Sequence, residues 1–428
     1  MKGALLSPGF YLGAGVTLVY IPNLTGSGVL TGWPFLAAFL AVFLPWRKVA
    51  MSASLNLLGL GFLAWAGLSL AWTENVYDGI GALAIWIILG MAFYYAVGIE
   101  DARPVYLGFA VGVSGCVAVA ALQAAGFDPI GANEDFRSNV SGLYVNSTIF
   151  GAVVALALAS ALFGGMWWFV PVGMLGLYLS GARGPAIAFL LIALIGVWKW
   201  SRGFALILLV PAAIFGAGVF LQKNDLTHTS TQRIAYWVDT AEALTWRGHG
   251  IGSFFQLYPD LAKRTDVSKS RPEHPYSDPL EIVFEFGVGS LLLWTLLILL
   301  LEVPFADRYI LGTFLLISLS YFPLAFPPCA FLAAFAAGRL ARGWVMVCRG
   351  EPLSRPSIPY WLDGQGYTTL GAFGGLVPVQ PINPHPTGVY GDVPGPIPGH
   401  SPSPYIHPIE RSKLGRLGAR LAPPQTGD

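Results

Sequence analysis

What most constrains this chain is a succession of apolar stretches, each close to the length a helix needs to cross a bilayer. A spanning helix takes roughly 20 apolar residues, with a range of about 17–25. Such stretches fall near 9–26, 29–46, 53–72, 79–98, 104–124, 147–164, 166–182, 184–199, 203–222, 280–302, 309–324 and 325–343. They predict an all-α, polytopic integral membrane protein of about twelve transmembrane helices. Pro323, Pro327 and Pro328 interrupt the last region, which reads either as two spans or as one broken hairpin. Charged residues make up only 11% of the chain, against about 25% in soluble domains. Lipid-facing surface cannot carry ions cheaply, so the shortage of charge agrees with the apolar lengths. The net charge of +1 gives a nucleic-acid partner no electrostatic support. Cys116, Cys329 and Cys348 form neither a spaced metal pattern nor an obvious disulfide pair. Lys2 and the apolar run behind it resemble a signal peptide, but no small-residue cleavage site follows, and the run reads as a first span.

Basic residues in short loops set the orientation. With the N-terminus inside, Arg47, Lys48, Arg103, Lys199, Arg202, Arg339, Arg342 and Arg349 all fall on the cytoplasmic side. The opposite side receives Glu74, Asp78, the loop 126–139 and a long loop, 223–279. Both termini are then cytoplasmic. The long loop holds seven basic residues, seven acidic ones and three His. That balance predicts a folded segment, with WVDTAEALTW (237–246) as a short amphipathic helix. Long ordered loops in compact proteins are usually functional. The organisation expected is therefore a membrane domain over 1–343 containing the loop 223–279, and a cytoplasmic tail over 344–428. The Pro/Gly-rich tail lacks helical periodicity and reads as disordered or polyproline-like.

Three motifs gather on the loop side. In LYLSGARGPAIAFLL (177–191), Arg183 sits between two apolar helices. It is either an anchor at the headgroups or a ligand for a phosphate or diphosphate, to which a guanidinium presents a rigid fork of donors. In STQRIAYWVDTAEAL (230–244), Arg233 opens the loop helix and the aromatic pair Tyr236 and Trp237 suits a sugar ring or an interfacial seat. The alternative is a solvated Arg233 paired with Asp239. In RGHGIGSFFQLYP (247–259), Gly248, Gly250 and Gly252 lack a preceding strand, which rejects a dinucleotide fingerprint and leaves a tight backbone turn. The third motif is RPEHPYSDPLEIVFEFG (271–287). Its prolines hold the backbone extended, and Pro279 suits the first turn of a helix. Glu281 and Glu285 then lie four apart on one helical face. Glu281 can be explained by the positive end of the helix dipole. Glu285 lies deeper and calls for a partner, for which an Arg is the natural choice.

In this order the motifs resemble the O-antigen ligase family and its polymerase relatives, polytopic glycosyltransferases with a large periplasmic loop. The matching residues are Ser180–Gly184 with Arg183, then Arg233, then Gly250-Ile-Gly252-Ser-Phe254, then His274 with Leu280, Glu285 and Gly287. They cover about 140–300; the tail does not match. One departure stands out. The family His usually lies about nine residues before its Glu, where this chain has Tyr276; His274 is two residues earlier and is followed by Pro275. Either residue can fill the slot. Chemistry favours His274, because a base for a sugar hydroxyl must be unprotonated near neutral pH, and Tyr titrates near 10 against about 6.5 for His.

The resemblance implies transfer of a glycan from an undecaprenyl-diphosphate donor to a lipid or glycan acceptor hydroxyl at the periplasmic face of the bacterial inner membrane. It implies no cofactor and no metal. His274, Arg183 and Arg233 become the catalytic candidates. Tyr236, Trp237, His249, Tyr276 and Glu285 become the candidate substrate-binding residues. Two rivals come from other classes. A transporter or flippase of a lipid-linked solute would place ionisable residues on broken helices at mid-bilayer. A non-catalytic membrane anchor would use the proline-rich tail to recruit partners.

Overall fold

The computed structural model describes residues 7–18, 32–43, 51–129, 140–144, 146–203, 209, 213–218, 227–265, 272–303, 305–348, 367–368 and 377–378. Apolar stretches become helices wherever the chain is described. In chain order these are α1 (Pro8–Leu18), α2 (Gly32–Phe43), α3 (Ala53–Ser69), α4 (Val76–Gly98), α5 (Arg103–Ala124), α6 (Ser147–Gly164), α7 (Phe169–Ser180) and α8 (Arg183–Trp200). The loop contributes α9 (Thr227–Glu242) and α10 (Phe254–Leu261). Then come α11 (Asp278–Phe286), α12 (Ser290–Leu301), α13 (Asp307–Ser318) and α14 (Pro327–Cys348). Among the described residues five segments are long and apolar enough to cross a membrane: α4, α5, α6, the run Asp278–Leu301 and α14. The apolar helices α3 and α7 are shorter. Of the twelve expected spans, five reach that length among the described residues. Most of 203–222 and the stretches beside α1 and α2 lie outside the described residues. At the prolines of 323–328 the chain makes a short 3-10 turn between α13 and α14, and of these two helices only α14 is long enough to cross a membrane.

Local chemistry accounts for the helix ends. The Asn75 side chain accepts the Tyr77 N–H at 3.0 Å, and Asn146 accepts that of Thr148 at 2.6 Å, supplying caps for α4 and α6. The packing centre is α6, whose residues 149–161 are buried throughout. It lies against α5, α7, α8 and α13. At the crossing of α1 and α5, a Cβ on Gly13 or Gly108 would lie 2.0 Å from the facing backbone oxygen of Val105 or Phe10. Backbones that close are typical of membrane helix pairs, where van der Waals contact must replace the hydrophobic effect. Outward-facing Leu57, Leu291 and Ile298 are 74%, 61% and 60% exposed, on apolar helices that suit lipid contact.

The charge sorting seen in the sequence has a structural counterpart along α4, whose 23 residues extend about 34 Å. At its C-terminal end, Arg339 Nη1 donates to Ile99 O at 2.6 Å and Arg342 Nη1 donates to Val97 O at 3.2 Å. Those guanidiniums satisfy carbonyls that the helix leaves open. At its N-terminal end, Thr73 Oγ1 donates to Ile251 O at 2.8 Å and Gln256 Nε2 donates to Asp78 Oδ2 at 3.0 Å. The loop helices and the arginines of α14 therefore contact opposite ends of one long helix. The described residues of the loop, 227–265 and 272–279, are folded, as its charge balance predicted. Buried Asp239 accepts Arg264 Nη1 at 2.5 Å and the backbone N–H groups of Lys263 and Arg264 at 3.2 Å. The loop helix begins ten residues before the predicted 237–246 and ends at Glu242.

The chain divides into two units, Met1–Gly364 and Gln365–Asp428. The last helix runs to Cys348, five residues beyond the boundary expected from composition. In the second unit the described residues are Tyr367–Thr368 and Val377–Pro378, which pair as a short antiparallel ribbon within the tail that composition had left without structure.

Candidate functional site

The site is built where the loop docks on a broken helix. Ser277 precedes α11, and Pro279 occupies its first turn as the sequence predicted. The helix then stops at a 3-10 turn, Gly287–Gly289, before resuming as α12. The cause is competition for carbonyls. Phe284 O and Glu285 O accept the loop N–H groups of His249 and Gly250 at 2.9 and 3.0 Å, and Val288 N donates to Trp246 O at 2.8 Å. Phe286 O accepts the Trp65 indole at 2.9 Å. Gly287 has φ +53° and ψ −129°, and a Cβ there would meet Trp246 O at 2.3 Å. Only glycine fits. On the other side Gly248, Gly250 and Gly252 have φ of +74°, +94° and +71°. This is the tight turn that the sequence suggested, and its docking partner is the break in α11–α12.

Docking encloses a cavity of about 180 Å³ whose ionisable lining is Glu273, His274, Asp278, Glu281 and Glu285. Glu281 and Glu285 do share a face, and that face points into this space. The Arg expected beside Glu285 is not part of the lining; the backbone N–H groups of Gly252 and Phe254 face its carboxylate instead. Asp278 was not singled out in the sequence. It is 4% exposed, and its Oδ2 accepts the Leu324 N–H at 3.1 Å. The only signal for it was an acid in the first turn of an apolar helix. A second cavity, of about 140 Å³, is walled almost entirely by apolar side chains from α3, α4, α12, α13 and α14. Both cavities touch Trp86, Leu89, Asp278, Ile282 and Leu324.

His274 stands at the rim. Its Nδ1 lies 2.9 and 3.0 Å from the two Glu281 oxygens, and its ring stacks on Phe322 at 4.6 Å. The carboxylate selects the tautomer with a proton on Nδ1, which leaves the Nε2 lone pair available. Burial pulls the imidazole pKa down, but the charge and hydrogen bond of Glu281, joined by Glu273 and Glu285, outweigh it and leave the pKa raised. Tyr276 is held differently. At φ +57° it is the one described non-glycine residue with positive φ. The Arg233 guanidinium lies 4.9 Å over its ring, and Tyr236 stacks on it at 5.9 Å. Burial raises the phenol pKa more than Arg233 lowers it. Of the two, His274 has a carboxylate beside its ring nitrogen, whereas Tyr276 carries the Arg233 guanidinium over its ring.

The remaining candidates separate into two groups. Arg233 Nη1 donates to Ser320 O at 3.3 Å. A Cβ on Gly184, next to Arg183 at the start of α8, would lie 3.5 Å from Ser320 Oγ. Both arginine motifs thus converge on the turn after α13. Arg233 does not pair with Asp239, which is taken by Arg264. The buried Trp237 Nε1 has no hydrogen-bond partner among the described residues. Tyr236 and His249 belong to packing: Tyr236 is buried with Phe254, Tyr258 and Phe284. His249 stacks on Phe284 at 4.3 Å and its Nε2 is 2.7 Å from Ala243 O. His249 lies outside the carboxylate cavity's lining. Among the described residues no group of three or more His, Cys, Asp or Glu is arranged to hold a metal ion. No protein-family model, curated protein or solved structure matches this chain.

Proposed function

We propose that this membrane protein is a glycosyltransferase of the O-antigen ligase type. It moves a glycan from undecaprenyl diphosphate to an acceptor hydroxyl at the periplasmic face of the inner membrane. The observation that carries this reading is His274, held by Glu281 at a cavity that the His274 side chain helps to line. Nε2 takes the proton of the acceptor hydroxyl, whose oxygen attacks the anomeric carbon. The bond from that carbon to the diphosphate breaks, and its electron pair leaves with the phosphate oxygen. Arg233 and Arg183 stabilise the charge that develops there, so the leaving group needs little further help. A single displacement inverts the anomeric centre. The acidic lining offers a diphosphate no cationic Arg or Lys, so the donor head belongs on the Arg233 side of Tyr276 and the acceptor in the carboxylate cavity. The full twelve-span topology, with cytoplasmic termini and the loop 223–279 outside, belongs to this proposal. So does a lipid A-core or glycan acceptor.

Deleting the gene and analysing the surface polysaccharide tests the reading. Accumulated lipid-linked glycan with nothing attached supports a ligase; a single repeat on the acceptor supports a polymerase. Unchanged polysaccharide overturns both. One observation favours a second reading. The buried acids Asp278 and Glu285 precede a helix break at Gly287–Gly289, a pattern that suits proton-coupled transport. Loss of solute uptake with intact glycan transfer would select it.

A further inference from the structure

Among the described residues of the loop, Trp246 is the most exposed large apolar side chain, at 73%. Its backbone is nevertheless fixed. Trp246 O accepts the Val288 N–H at 2.8 Å and lies against Gly287, at the break between α11 and α12. Trp246 is therefore held at the head of α12. There Val288 is 46% exposed, and the exposed Leu291, Thr295 and Ile298 follow it at helical spacing along one outward face. Leu291 and Ile298 belong to the surface that suits lipid contact. Trp246 continues that stripe, supplied by the loop instead of the helix.

The height of the break on the bundle can be read from α4. Phe286, which precedes the break, meets the Trp86 ring at 6.0 Å. Trp86 lies eight residues inward from Asp78, about 12 Å along the helix. Asp78 and the Asn75 cap form the polar end of α4 on the loop side. The break, and Trp246 with it, thus sits inward of that polar end, at the depth where headgroups give way to acyl chains. An indole suits this boundary, because its rings are apolar and its N–H is polar. The adjacent Arg247 is exposed and long enough to return its charge to the headgroups.

We propose that Trp246 anchors the loop in the leaflet on its own side of the membrane, with the indole at the boundary between headgroups and acyl chains. The partner is phospholipid, and the anchor holds the glycine turn against the helix break from the lipid side. The proposal rests on insertion of the apolar helices and is independent of the transferase reading.

The test uses the full chain in phospholipid nanodiscs, with Cys348→Ser removing the exposed thiol and leaving the buried Cys116 and Cys329. Single nitroxide spin labels are introduced through Leu244→Cys, Trp246→Cys, Leu291→Cys or Lys263→Cys. Power saturation reads the access of each label to oxygen and to a water-soluble nickel chelate. Lys263, whose side chain is 68% exposed, is the water reference, and Leu291 is the lipid reference. Labels at 244 and 246 should match 291, with high oxygen access. Their nickel access should be at least about threefold below that at 263, because the bilayer excludes a polar chelate. With the label at 244, Trp246→Ser should raise nickel access toward the value at 263, whereas Trp246→Phe should not. Should Trp246→Ser fail to express, the labels at 244 and 246 decide by themselves. Nickel access equal to that at 263, or indifferent to Trp246→Ser, overturns the anchor. Low access to both reagents also overturns it, because a protein surface then covers the patch.

Discussion

Replacing Glu281 with Gln keeps the shape and one acceptor oxygen beside His274 but removes the charge. In the native pair both carboxylate oxygens lie within 3.0 Å of Nδ1, and the two side chains are only 24% and 17% exposed. Hydrogen bonds to charged groups contribute about 1.5–3 kcal/mol, roughly twice a neutral one. Losing the charged share therefore costs about 1–1.5 kcal/mol. The sign follows from the raised pKa of His274. The pair's contribution is fully present below the ordinary His pKa of about 6.5 and is lost as pH rises through the higher folded value. Thermal unfolding of detergent-solubilised protein should show Glu281→Gln destabilised at about pH 6, with the difference closing in alkaline buffer. In a transfer assay the wild-type rate should climb with pH as His274 deprotonates. In Glu281→Gln that acidic limb should move to lower pH. An unmoved limb, or one moving upward, refutes the pairing as the source of His274's titration. A limb that survives His274→Ala refutes His274 as the base.

Three further outcomes are expected. Gly287→Ala should destabilise the protein by about 1–3 kcal/mol, because it forces a side chain into a glycine-only conformation and onto Trp246 O; a thermal midpoint equal to wild type would contradict this. Arg233→Lys and Arg183→Lys should each express normally and lose most transfer in the reconstituted assay, since a point charge cannot replace a planar fork on a diphosphate. Wild-type rates would reduce both to anchors. A cysteine introduced at Ser268 should react with an impermeant thiol reagent in cells lacking an outer-membrane barrier, while Cys348 should not; the reverse pattern would invert the topology.

The helices were legible because apolar length is a local property, written at the same positions that the structure coils. Span count was less so: α7 and α13 end after 12 residues each, and their ends depend on neighbours that length cannot reveal. The glycine turn at 248–252 could be read from its spacing, but its docking on the Gly287 break could not, since the partners are over thirty residues apart in sequence. Glu281 and Glu285 were visible as a helical pair. Their cavity was not, because Glu273, Gly252 and Phe254 join it only once the loop folds back. The Arg expected beside Glu285 illustrates the limit: sequence shows that a charge needs compensation, and only packing shows who is near. The same holds for Asp239, which took Arg264 rather than Arg233. The partner of His274 is a carboxylate seven residues downstream, on a helix face that becomes meaningful only when the loop bends.

The central claim is glycan transfer with His274 as the base, and a reconstituted assay tests it most directly. Purified protein in proteoliposomes is given a radiolabelled glycan on undecaprenyl diphosphate together with membrane-extracted acceptor, alongside His274→Ala and Tyr276→Phe. Wild type and Tyr276→Phe should transfer label with inversion at the anomeric carbon, while His274→Ala binds donor and transfers none. Activity in His274→Ala with loss in Tyr276→Phe would hand the base position to Tyr276, and retention of the anomeric configuration would contradict a single displacement.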